Sequence, residues 1–280
     1  MIKRVFQEAL SVVGAALFLG CVGLLLTRPT NFVAYLPEIV EVVEQQFEDP
    51  VVRIVLDPGH GGLDGGANRG RLLEKELNLE VAQKVKLLLE AENLENIEVL
   101  LTRESNAELP SKSQRVAFAN RFPKCYFVSI HFNGSEYQRA SGTEVFYAEP
   151  KSDIALNQIR RRLGFAKDEI LKDVRSERLA QLIQKALIKE LGTKDRGTKN
   201  HRPFMVTRET IGPAALAEVA FISNPTEAAR VGQEGFRSRA AAAIAVGILT
   251  YVKETEQDPF AGITKIVQEE PEPVASTLAE

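Results

Sequence analysis

The sequence predicts an α/β domain built on a single open sheet, mixed or mostly parallel and flanked by helices, preceded by an N-terminal membrane-spanning helix. Three observations carry that reading. Apolar strand-like runs alternate with helix-period segments from residue 51 to 254. An unbroken apolar run, Ala9 to Leu26, follows the basic pair Lys3 and Arg4. A chain of 280 residues, 44% hydrophobic and 26% charged, has material for one sizeable core.

Residues 1–8 read as a short cytoplasmic N-terminus and residues 9–26 as the span, close to the ~17–25 residues a bilayer needs. Two other readings of the run also export the rest of the chain. One is a cleaved signal, although no small-x-small site follows Leu26; the other is a lipoprotein processed at Cys21 within Phe18-Leu19-Gly20-Cys21. On each, the bulk of the protein lies outside the cytoplasm, anchored in the cytoplasmic membrane if the run is retained. Residues 27–50 form a linker whose Leu36, Ile39, Val40, Val42 and Val43 recur at roughly helical spacing, as in a short stalk.

Residues 51–254 hold the alternating pattern. Strands are expected at Val51–Leu56, Ile97–Thr102, Tyr126–Ile130, Gly142–Tyr147, Phe204–Thr207 and Ala214–Phe221, each a short apolar run bounded by turn-forming or polar residues. Helices are expected at Lys75–Ala91, Ser111–Asn120, Ser176–Leu191 and Phe236–Glu254, the last three with capping residues at an end. Residues 151–174 break the alternation. They are highly charged and place Ile154, Ile159, Leu163, Phe165, Ile170 and Leu171 at spacings that fit one or two short helices, so they read as an insertion. Residues 255–280, rich in Pro, Glu, Ser and Thr, read as a disordered tail.

A net charge of -3 excludes the basic excess that marks nucleic-acid binding. Two cysteines, Cys21 and Cys125, make neither a disulfide framework nor a cysteine metal cluster. Any metal must therefore use histidine and carboxylate.

The first strand runs into Asp57-Pro58-Gly59-His60-Gly61-Gly62, where proline and glycine end it and set His60 in a loop at its C-terminal end. Open α/β sheets build their sites at that edge. A surface turn histidine is the plain alternative. His131 follows a second apolar strand and belongs to the same edge, and these are two of only three histidines in the chain. Glu74 opens the helix after the glycine-rich loop, where a carboxylate also suits the helix dipole, and Glu76 competes with it as a ligand. Two histidines and one carboxylate, with a fourth position open, is an arrangement that holds catalytic zinc. Glu218 interrupts the uncharged run Ala214–Phe221. Burying a lone carboxylate is expensive, so it either pairs with a buried cation or works beside a metal as a proton acceptor and donor. His201, in a polar stretch, reads as a loop residue or as a contact to the site's outer shell.

The blocks around these residues resemble the N-acetylmuramoyl-L-alanine amidases of the Amidase_3 type. Ile54 through Gly62 is similar to the family's opening, Glu74-Lys75-Glu76-Leu77-Asn78-Leu79 to its helix start, and Leu101-Thr102-Arg103 with Arg115 and Asn120 to its next block. Ser129-Ile130-His131-Phe132-Asn133, Gly142 through Tyr147, and Pro213 through Asn224 follow in family order. The resemblance implies zinc ligands His60, Glu74 and His131, a catalytic Glu218, and hydrolysis of the amide between N-acetylmuramic acid and L-alanine in peptidoglycan. Asn133 and Arg115, in the same blocks, are expected to meet the substrate. Some relatives carry a helix near residues 151–174 that covers the zinc until an activator protein displaces it. Asp153, Asp168, Glu169 and Asp173 offer carboxylates for such a regulatory contact, with Asp168 and Glu169 the first choices. Two other functions compete: a different zinc hydrolase acting on peptidoglycan, either a peptidase or a deacetylase, and a catalytically silent wall-binding protein.

Overall fold

The computed structural model describes residues 51–122, 124–148, 169–201, 203–257 and 263–267. The membrane span expected at 9–26 lies outside the described residues, together with the 1–8 and 27–50 segments, Asp168 and most of the 151–174 insertion. Among the described residues no helix is long and apolar enough to cross a membrane.

The described residues between 51 and 148 and between 171 and 257 belong to one unit. At its centre is a six-stranded mixed sheet of β1 (Val52–Pro58), β2 (Ile97–Leu101), β3 (Cys125–Asn133), β4 (Thr143–Tyr147), β5 (Asp195–Asn200) and β6 (Ala214–Phe221), in the order β2-β1-β3-β6-β4-β5. The first four strands of that row are parallel, β4 runs antiparallel to β6, and β5 lies parallel to β4. Helices α1 (Glu74–Ala91), α2 (Lys112–Ala119), α3 (Arg175–Leu191), α4 (Met205–Arg208), α5 (Pro225–Val231) and α6 (Glu234–Gln257) complete it.

Because successive strand residues point to opposite faces, each strand divides its side chains between two cores. Ile54, Leu56, Val128, Ile130, Phe132, Ala215, Ala217 and Val219 enter the larger core with Val81 and Val85 of α1, Leu179 and Ile183 of α3, and Ile244 and Ile248 of α6. Val55, Phe127, Phe146, Ala214 and Leu216 enter a smaller one, covered by Val116 and Ala119 of α2 and Val206 of α4. Asp57, His131, Glu144 and Glu218 share this second face by the same alternation. Two short helices cover it, which leaves room for a cleft at the strand ends.

Five elements differ from the sequence reading. Phe204–Thr207, expected as a strand, is the entry to helix α4, in which Arg208 N–H reaches Phe204 O at 3.0 Å and Glu209 N–H reaches Met205 O at 2.9 Å. A short apolar run does not by itself distinguish helix from strand. The sixth strand is instead Asp195–Asn200, a polar segment that pairs with β4 at the sheet edge. Helix α5 begins at Pro225, its N-cap Asn224 accepting from Thr226 and Glu227 N–H groups. Ile170 and Leu171, read as helical, lie in the strand Glu169–Asp173, and Ile263–Val267, within the expected tail, is also a strand.

Candidate metal centre and catalytic site

The loop after β1 is held by buried cations. Arg115 Nη1 pairs with Asp57 and donates to Pro58 O at 2.8 Å, while its Nη2 donates to His60 O at 2.7 Å. Arg103, 1% exposed, donates to the carbonyls of Pro58 and Gly59 at 2.9 Å each, and Asn78 adds a bond to Gly59 O. Asp57 also accepts from Ser129 Oγ at 2.7 Å and from Thr102 Oγ1. Three consecutive carbonyls are thereby fixed. His60 sits among them with φ of 60°, a left-handed conformation that costs a non-glycine residue energy and that this web of bonds sustains.

His60, Glu74 and His131 each offer a ligand atom, and these atoms lie within 4.8 Å of one another. Glu74 Oε1 is 3.1 Å from His60 Nε2 and 2.9 Å from His131 Nδ1, and the two rings meet edge to face at 5.1 Å. His60 Nδ1 is 2.8 Å from Asp64 Oδ2, which accepts its proton and turns Nε2 inward. The remaining acceptor capacity of Glu74 takes Ala67 N–H at 2.7 Å and Phe132 N–H at 3.3 Å. Burial alone would raise the Glu74 pKa, but hydrogen bonds and charge from His131 and His60 outweigh it and hold the carboxyl well below the usual range. His60 is shifted the other way: burial lowers its pKa, and the carboxylates of Glu74 and Asp64 more than reverse this.

The backbone makes room for this cluster. A Cβ at Gly59 would sit 2.1 Å from the His131 ring, and one at Gly66, where φ is +66°, would sit 2.5 Å from Glu74 Oε2 and 2.7 Å from His60 Cδ2. Three convergent donors of the types zinc accepts, with no lysine or arginine on Glu74 among the described residues, fit a divalent metal. Glu76, the rival ligand, is exposed.

Glu218 stands directly beside His131 in the β3/β6 register. Among the described residues it has no cation partner, and its Oε2 is buried and without a hydrogen bond. Burial first, then the negative charges of Glu74 and Glu144, push its pKa well above the ordinary carboxyl value. These residues open on a cavity of about 280 Å³ lined by His60, Glu74, His131, Asn133, Phe204 and Glu218.

The other expected site residues separate into two groups. Asn133 lines the cavity and donates its side-chain N–H to Glu144 Oε1 at 2.8 Å. Arg115, expected at the substrate, also lines the cavity; it is 5% exposed, and its guanidinium is bonded to Asp57, Pro58 O and His60 O, so it is the cation that balances the buried Asp57. Glu169 begins the strand Glu169–Asp173, and Asp168 is not among the described residues. His201 packs its ring against Phe146 and Phe204, with centroids at 5.4 and 4.6 Å. The buried Cys125 has its thiol pushed up to about 12 by burial, which disfavours the thiolate a nucleophile needs. Sequence reasoning did not name Asp64, and it met Arg103 and Glu144 only inside blocks similar to the family, with no role for either. An acid four residues after a loop histidine was a legible signal for the first; nothing local marks the other two as buried.

The chain matches the Amidase_3 family, N-acetylmuramoyl-L-alanine amidase, over residues 54–250. It is 34% identical over 219 residues to N-acetylmuramoyl-L-alanine amidase LytC of Bacillus subtilis (strain 168), covering 78% of this chain but 39% of that protein. The germination-specific N-acetylmuramoyl-L-alanine amidase of the same strain is 32% identical over 219 residues, covering 74% of this chain and 82% of that one. Among solved structures, the catalytic domain of CwlV from Bacillus (Paenibacillus) polymyxa var. colistinus superposes with a TM-score of 0.60 at 33% identity, over 72% of this chain and 99% of that one. The CwlD amidase of Clostridioides difficile, solved in complex with the GerS lipoprotein, gives 0.59 at 26% identity over 72% and 99%.

Proposed function

The chain belongs to the Amidase_3 family of N-acetylmuramoyl-L-alanine amidases, and we propose that its cleft hydrolyses the amide between N-acetylmuramic acid and L-alanine in peptidoglycan, using zinc held by His60, Glu74 and His131. Such an enzyme meets its substrate outside the cytoplasm, which agrees with the exported domain read from the N-terminal run. One observation carries the reading: Glu218, whose Oε2 is buried and makes no hydrogen bond among the described residues, stands next to a ligand of a three-donor cluster.

Zinc in that cluster would supply positive charge that polarises the scissile carbonyl and acidifies a nearby water. Glu218 accepts the proton released as the water oxygen bonds to the carbonyl carbon. It then delivers that proton to the alanine nitrogen as the C–N bond breaks, leaving a free carboxylate on the lactyl group and a free amine on the peptide. The carboxyl must start ionised to take the proton and then keep it until the nitrogen is ready to leave, and burial with two neighbouring carboxylates raises the proton affinity of Glu218 in that sense. His60 is kept in one ring orientation by Asp64, and the backbone bonds of Arg103 and Arg115 keep the loop from drifting.

Mass spectrometry of muropeptides after digestion tests the bond and the residue together. Wild type loaded with zinc is expected to release stem peptides with a free N-terminal alanine. New termini elsewhere would identify a peptidase or deacetylase instead, and no release from a zinc-loaded protein would leave only wall binding.

A further inference from the structure

The chemistry above leaves unused a polar network on the other side of Glu218. Glu144 of β4 faces Glu218 across the antiparallel β4/β6 pair and is 3% exposed. Its Oε2 accepts from Arg196 Nε at 2.9 Å and from Lys199 Nζ, both on the polar edge strand β5; its Oε1 accepts from Asn133 Nδ2 at 2.8 Å. Two cations gather on one oxygen. The other oxygen is left to the amide.

This division has a geometric consequence. A side-chain amide can usually present either its oxygen or its NH2 group to a neighbour that both donates and accepts. A carboxylate oxygen only accepts, so Asn133 can face Glu144 only through Nδ2, and Oδ1 is turned away. Among the described residues Oδ1 makes no hydrogen bond, and Asn133 lines the cleft with His131 and Glu218. An acceptor of fixed orientation beside an amide-cleaving site has an obvious complement in the N–H groups of a peptide. The edge strand β5 also becomes intelligible. Its sequence is too polar to contribute to the core, but it delivers Arg196 and Lys199 to Glu144.

We propose that Asn133 is a substrate-positioning residue whose Oδ1 accepts an amide N–H of the bound N-acetylmuramoyl peptide, and that Glu144, anchored by Arg196 and Lys199, is the latch that fixes this orientation. The inference rests on the amidase reading. It assigns Glu144 no contact with substrate; Glu144 acts through Asn133. In Glu144→Gln the new side chain can donate as well as accept, so Asn133 is free to flip and to present NH2 where the substrate needs an acceptor.

A double-mutant cycle separates this from a purely structural role. The probe is an N-acetylmuramoyl-L-alanyl dipeptide, titrated calorimetrically into zinc-loaded protein carrying Glu218→Gln so that it stays intact, with kcat and KM measured in parallel in proteins that keep Glu218. Asn133→Ala is expected to weaken binding about tenfold, the loss of one well-placed hydrogen bond. Glu144→Gln should weaken it by a similar or smaller factor, and the double variant no more than Asn133→Ala alone. Zinc content and melting temperature of Asn133→Ala should match the parent. Additive losses, or unchanged affinity in Asn133→Ala, overturn the proposal. Should Glu144→Gln fail to fold, Lys199→Met takes its place in the cycle, since that lysine is partly exposed and removes one cation from the latch. A parent that binds no probe would refute the amidase reading itself, whereas a parent and an Asn133→Ala variant that bind equally well would refute only the role of Asn133.

Discussion

Glu74 and Glu218 are both glutamates of one cleft, each within reach of His131, and their surroundings are opposite. Glu74 is met by two imidazoles and two backbone N–H groups. Glu218 has an oxygen with no partner and two other carboxylates for neighbours. Desolvation raises the pKa of each, so it cannot explain the contrast; the supply of donors decides it. One side chain is kept as an anion, as a metal ligand must be, and the other is disposed to hold a proton. The same division of two carboxyls by environment underlies acid–base pairs in many hydrolases.

The largest expected effect comes from removing the anion or what it holds. Glu74→Gln turns an acceptor-only group into one whose NH2 must face N–H donors or metal, so zinc content should fall below stoichiometry and activity should vanish. Treating wild type with a chelator should have the same outcome, with activity restored by added zinc and the melting temperature lowered in the stripped protein. Full activity in a protein shown to be metal-free would break the comparison, because Glu74 would then be merely a buried structural acid.

Glu218→Gln should be nearly as damaging to turnover and harmless to the rest. A loss of about 10²–10⁴ in kcat is the usual effect of removing general acid–base catalysis. Zinc content is expected to be unchanged, since the side chain makes no bond to any ligand. Peptide release at the wild-type rate would remove Glu218 from the mechanism, and loss of zinc would make it part of the metal site.

Arg115→Met probes the support beneath Glu74's side of the cleft. It leaves Asp57, 1% exposed, without its cation, and uncouples two loop carbonyls. Breaking a buried pair by removing one partner costs about 3–5 kcal/mol, which equilibrium denaturation would register. A loss below about 1 kcal/mol would match an exposed salt bridge and would mean that Arg103 and Asn78 suffice to hold the loop.

The parts of this site visible in the sequence are those where a residue conflicts with its local pattern. His60 and His131 end apolar strands, and Glu218 is a charge inside one; each asks for an explanation before any coordinates exist. Arg115 does not, because an arginine on a short amphipathic helix is expected to face water, and only the β1 loop folded over it makes it buried. Strand β5 was illegible for a related reason. Asp195–Asn200 has no apolar alternation, and its conformation follows from pairing with β4 and from the acid it serves. The same blindness produced a strand at Phe204–Thr207, where four residues were too few to reveal a period. Pattern reading finds residues that contradict their neighbours in sequence; it misses those that make sense only through neighbours in space.

The smallest predicted effect is the most direct measure of the contrast between the two carboxyls. In the metal-free protein the pKa of Glu74 is lower folded than unfolded, so its contribution is present above the ordinary carboxylate range and is lost as pH falls. Glu218 has the opposite sign. Its folded pKa lies above the unfolded one, so from about pH 4.5 upward the native state holds a proton that the unfolded chain releases, and stability declines with rising pH. Glu218→Gln deletes only this second contribution. His60, whose raised pKa also lowers stability as pH rises, is common to both proteins and cancels in the difference. Urea denaturation of metal-free wild type and Glu218→Gln at pH 5 and pH 8 should therefore show the variant gaining on wild type at the higher pH. A difference that stays constant between the two pH values would mean that Glu218 titrates as an ordinary carboxyl, and the distinction drawn between it and Glu74 would rest on geometry alone.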